Sequence, residues 1–107
     1  MRKYKDIEAT ELQPILETQK IYLIDVRNDD EIARGVIPGA IYLTLSSIPS
    51  VDLSPLENQT VVFYCHAGVR SAQAAAFVAD QIDANIYNLR GGILAWANAG
   101  FELTDLK

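Results

Sequence analysis

Four short apolar runs, Ile21–Val26, Ala40–Leu43, Val61–Cys65 and Ile86–Leu89, punctuate this chain at intervals filled by helical patterns. Each run is rich in β-branched or aromatic residues and ends at a turn or cap signal, which identifies it as a strand. Strands that read as near-continuous apolar stretches are covered on both faces, and that is the condition of a parallel sheet. Strand and helix in regular exchange predict a doubly wound parallel α/β sheet flanked by helices. With 107 residues, residues 1–107 are expected to form one domain.

The helical patterns carry their own boundaries. Thr10-x-x-Gln13 reads as a capping box opening a helix to about Leu16, with Pro14 weakening its first turn. Asn28-x-x-Glu31 reads as a second box, closed by Gly35. Ser71 is expected to cap a helix to about Ile82, with Ala72, Ala75, Ala76, Ala79 and Ile82 on its packed face. A last helix is expected from Gly92 to Ala99, ending at Gly100.

In doubly wound sheets, ligands bind beyond the C-terminal ends of the strands. Cys65 stands at such an end, followed by His66-Ala67-Gly68-Val69-Arg70-Ser71 and then the alanine-rich helix. A sharp turn at a helix start points several backbone N–H groups inward as an anion-binding nest. The helix dipole and Arg70 add positive charge, and Gly68 supplies a backbone position that a tight turn requires. Such surroundings lower a thiol pKa from about 8.5 to roughly 3.5–7.5 and produce the attacking thiolate. Cys65 is therefore the candidate nucleophile. His66, the only histidine, is assigned to the pocket wall, because a residue directly following the nucleophile points away from it. A lone Cys and a lone His do not form a metal site.

Composition narrows the partners. A formal net charge of -5 without clustered Lys and Arg argues against nucleic acid. One cysteine forms no internal disulfide, so the fold does not require an oxidising compartment. No apolar run approaches the ~20 residues that span a bilayer, and the N-terminus does not resemble a signal peptide. A cytoplasmic monomer without cofactor is the expectation.

Three stretches resemble the rhodanese family. They are Tyr22-Leu23-Ile24-Asp25-Val26-Arg27 with Glu31 and Gly35-Val36-Ile37-Pro38-Gly39-Ala40-Ile41; the Cys65–Ser71 loop; and Leu89-Arg90-Gly91-Gly92-Ile93-Leu94-Ala95-Trp96. The resemblance implies a sheet of about five strands and a sulfurtransferase. In such an enzyme Cys65 takes a sulfane sulfur from a small donor such as thiosulfate or a persulfide. It then passes the sulfur to a thiol, cyanide or a partner protein. The amides of His66, Ala67, Gly68, Val69, Arg70 and Ser71 would cradle that sulfur, and the Arg70 side chain would meet the donor or brace the loop. Val36 stands where the family usually has His, a position read as structural. Asp25, Arg27 and Glu31 are read as an ion-paired or capping network that holds the loop.

Two other classes share these features. Cys-dependent phosphatases and arsenate reductases use similar loops, but four residues between Cys65 and Arg70 make a nest tighter than the Cys-x5-Arg phosphatase loop. A non-catalytic binding or redox-sensing module would share the fold, since function resides in the site.

Overall fold

The computed structural model describes residues 3–106. Five strands form one sheet: β1 (Lys5–Ile7), β2 (Tyr22–Asp25), β3 (Ile41–Tyr42), β4 (Thr60–Tyr64) and β5 (Asn85–Leu89). Their order is β1-β5-β4-β2-β3, and every pairing is parallel. The helices α1 (Ala9–Thr18), α2 (Asp29–Ile32) and α3 (Val69–Gln81) lie between strands, and α4 (Gly92–Asn98) follows β5. Two 3₁₀ turns, Leu45–Ser50 and Ser54–Leu56, carry the chain from β3 to β4. The doubly wound parallel sheet expected from the apolar runs is thus present, with β1 as a strand those runs did not include.

Alternation along the strands divides the core in two. Ile24, Val26, Val61 and Phe63 face one side, where Ala74, Ala75 and Val78 of α3 and Ile48 of a 3₁₀ turn cover them. Leu23, Val62 and Tyr64 face the other, beneath Leu12 of α1 and Ile93 and Trp96 of α4. Fully burying side chains of this size stabilises by about 1.5–3 kcal/mol each, which fixes register against a one-residue slip.

Several boundaries differ from the sequence reading, each for a local reason. α1 opens at Glu8 rather than Thr10: the Glu8 N–H donates to Glu11 Oε1 at 3.0 Å. The helix then runs past Leu16 to Thr18 with the exposed Pro14 inside it, where the Thr18 hydroxyl donates to the Pro14 carbonyl. α3 begins at Val69, capped by Gly68 in a left-handed conformation (φ 102°), so Ser71 lies inside the first turn. Its buried residues are Ser71, Ala74, Ala75 and Val78, and Ala76 is exposed. Of the expected face, Ala75 is buried and Ala79 and Ile82 pack partly buried on the core, while Ser71, Ala74 and Val78 join that face. The Asn28–Glu31 box forms as read, the Asn28 N–H donating to Glu31 Oε1 at 3.1 Å.

Beyond α4 the chain folds back. Phe101 packs on Trp96 with ring centroids 4.9 Å apart, and the indole N–H donates to the Glu102 carbonyl at 2.8 Å. Thr104 and Val36 then exchange two backbone hydrogen bonds, 2.7 and 2.8 Å long. Val36 is fully enclosed, so the side chain at this position packs rather than faces solvent. Among the described residues no helix is long and apolar enough to cross a membrane.

Candidate active site

β4 runs through the middle of the sheet and delivers Cys65 to its C-terminal edge, where the side chain is 1% exposed. The following loop wraps around the sulfur. The Gly68 N–H donates to Sγ at 3.1 Å, the Ser71 N–H lies 3.4 Å away, and the Ser71 hydroxyl oxygen is also at 3.4 Å. Burial pushes the Cys65 thiol up, but the hydrogen bonds of the loop, those of Ser71 and of the Gly68 and Ala67 amides, outweigh it. The net effect holds the thiol below its ordinary range. Among the described residues, the N–H groups that donate directly to Sγ are those of Gly68 and Ser71. His66, Ala67 and Val69 are exposed, Val69 at 71%.

The loop is fixed from three directions. From α4, the Ile93 and Leu94 N–H groups donate to the Cys65 and His66 carbonyls at 2.9 and 3.2 Å. These are first-turn amides with no partner inside their own helix. Gly92 (φ 63°) makes the approach possible, because a Cβ there would collide with both carbonyls. From α2, Glu31 receives Arg70 in a two-pronged ion pair, Nη1 at 2.7 Å and Nη2 at 2.8 Å. The Arg70 hydrogen bond pulls the Glu31 carboxyl down to about 2, against the smaller effect of burial. From β5, the Asn88 side chain, 5% exposed, meets Ser71 and the Gly68 carbonyl.

Asp25 and Arg27 form a separate buried pair. Arg27 Nε and Nη2 donate to the Asp25 carboxylate at 2.8–3.0 Å, and Nη2 also donates to the Gly35 carbonyl at 2.7 Å. This pair ties the segment after α2 to the end of β2, beside the Cys65 loop. Next to it opens a cleft of about 360 Å³ bordered by Glu31, Arg34, His66, Ile93, Leu94 and Leu103. His66 therefore stands on the wall of this cleft.

The structure brings all seven residues, Cys65 to Ser71, together at one strand end. It adds one that sequence reasoning missed. Asn88 was hidden within an apolar run, and the available signal was a polar amide at an inward position of a buried strand.

The order of strands and the cysteine-bearing loop at the end of the central strand define a class of small parallel α/β domains. The chain belongs to the rhodanese-like domain family, whose model matches residues 8–99. It is similar to a sulfurtransferase of Allochromatium vinosum, 40% identical over 92 residues that make up 85% of each chain. It is also similar to the thiosulfate sulfurtransferase GlpE of Pseudoalteromonas translucida, 25% identical across 95% of this chain and 97% of that one. A crystal structure of a rhodanese-like domain protein from Staphylococcus aureus superimposes with a TM-score of 0.79. It is 36% identical, over 96% of this chain and 99% of that one.

Proposed function

We propose that this protein is a sulfurtransferase that carries a sulfane sulfur on Cys65. The observation that carries the reading is the ring of N–H groups from Gly68 and Ser71 directed at the single cysteine sulfur. The Cys65 thiolate attacks the outer sulfur of a donor such as thiosulfate or a low-molecular persulfide. With thiosulfate, the donor's S–S bond breaks and sulfite leaves with the electron pair. The new Cys65 persulfide holds its negative charge on the terminal sulfur, where loop amides stabilise it. A thiol, cyanide or a protein acceptor then attacks that sulfur and restores the thiolate.

In this cycle Arg70 braces the loop through Glu31 and places positive charge beside the sulfur. The adjoining cleft, with Arg34 and His66 among apolar Ile93, Leu94 and Leu103, offers room for the body of a donor or acceptor. A second cysteine is absent, so the sulfur is discharged to an external acceptor.

Intact-mass measurement after brief exposure to thiosulfate tests the proposal. The expected result is a gain of one sulfur, about 32 Da, reversed by cyanide and absent in Cys65→Ser. A gain only with a persulfide donor keeps the chemistry and changes the substrate. No gain with either leaves a binding or redox-sensing module as the better reading.

A further inference from the structure

The Ser71 hydroxyl oxygen lies 3.4 Å from Cys65 Sγ and 2.5 Å from Asn88 Oδ1. A serine has one hydroxyl proton and two acceptor lone pairs, so only one of these contacts receives the proton. The far end of Asn88 decides which. Its Nδ2 faces Asp6 Oδ1 at 3.3 Å and the Gly68 carbonyl oxygen at 3.4 Å. Both are acceptors, so turning the amide over would set its own oxygen against two others. Asn88 Oδ1 therefore faces Ser71, and it has no proton to give. The 2.5 Å separation, at the short end of the O–H···O range, agrees with Ser71 as the donor.

We propose that Asn88 is a positioning residue for Cys65: it holds the Ser71 hydroxyl proton and so turns a lone pair of Ser71 Oγ toward the sulfur. Ser71 Oγ then accepts from the resting thiol, and the thiolate is received by the backbone amides of the loop. Withholding the hydroxyl keeps the thiolate more nucleophilic, because nucleophilicity falls as thiol pKa falls. In the sulfurtransferase reading, on which this role rests, that favours attack on the donor.

The charged surroundings leave this proton as the main local variable. Arg70 is clamped on Glu31, and Asp25 is clamped by Arg27. Asp6 stands behind Asn88, with Arg90 at 3.9 Å. His66 follows Cys65 in the loop with its side chain exposed. The remaining packing around Cys65, including Val26, Ile48, Phe63, Ala74 and Ala75, is apolar.

The test is a double-mutant cycle on the thiol pKa, read from the pH dependence of iodoacetamide alkylation and from thiolate absorbance. The single cysteine makes both signals unambiguous. Asn88→Ala should free the hydroxyl to donate to sulfur and lower the thiol pKa by about one unit. Ser71→Ala should not raise it, and the double variant should match Ser71→Ala. A raised pKa in Ser71→Ala, or an Asn88→Ala shift that survives without Ser71, overturns the proposal. Should Asn88→Ala fail to fold, the S–H stretching band of the wild-type protein and Ser71→Ala gives the answer. A band that rises in frequency when Ser71 is removed supports a thiol donating to Ser71, and an unmoved band overturns it. These readouts follow the thiol itself, so a failure to load sulfur would refute the sulfurtransferase reading and leave them intact.

Discussion

Arg70 and Glu31, 39 residues apart, meet through two hydrogen bonds of 2.7 and 2.8 Å, linking the Cys65 loop to α2. Glu31 Oε1 also accepts the Asn28 N–H at 3.1 Å. One carboxylate thus caps its own helix and grips the loop.

Glu31→Gln should therefore loosen both. Losing a charge-assisted pair that is mostly shielded from solvent is expected to cost about 1–3 kcal/mol of stability. Sulfur transfer should fall roughly 10-fold or more as Arg70 loses its anchor. Denaturant unfolding and steady-state turnover check the two effects. Turnover equal to wild type would show that the brace is dispensable.

The same pair gives an acid limit. The Glu31 carboxyl titrates near 2 in the folded protein, below its unfolded value of 4.5, chiefly because of the Arg70 hydrogen bond. A depressed carboxyl pKa contributes stability that is fully present above the unfolded value and is lost as pH falls through the folded one. Wild-type stability should fall between pH 4.5 and about 2, and Glu31→Gln should lose less over that window. Parallel slopes for both proteins, measured by urea titration at several pH values, would contradict this.

Cys65→Ser should remove sulfur transfer entirely, because an alcohol oxygen does not form the persulfide. Cys65 packs among apolar neighbours with its sulfur in the amide ring, a place that a hydroxyl also fills as an acceptor. Cooperative unfolding should persist, with a loss of about 1–2 kcal/mol. An unfolded variant by circular dichroism would show that the residue is chiefly structural.

Gly92→Ala addresses the contact between α4 and the loop. The new methyl group would press on the Cys65 and His66 carbonyls at a backbone φ of 63°, so one element must move. A loss of about 3 kcal/mol or more is expected, together with a rise in the thiol pKa as the amide ring opens. Thermal melting and thiol titration measure these separately.

Much of this arrangement was legible in the residues. The runs Ile21–Val26 and Val61–Cys65 place two central strands because their apolar content tracks burial on both faces. The Cys65–Ser71 loop and the Asn28–Glu31 box are local patterns, and local patterns survive in sequence. Glu8 was missed as a cap because Thr10 offered a more usual residue two positions later. The short edge strand Lys5–Ile7 has one buried residue, too few to make a run. Asn88 and the Glu31–Arg70 contact depend on partners 17 and 39 residues away, and no spacing rule brings those together.

Because all five strands point the same way, the molecule has a working edge and a blank one. Asp25, Cys65 and the turn after Leu89 gather at the first. At the other lie the connections entering β2, β4 and β5, including Asn58 in a left-handed turn. A tether, label or fused partner attached around Gln19, Asn58 or Asp83 would hold the protein from behind and leave the edge that carries the Cys65 loop unobstructed.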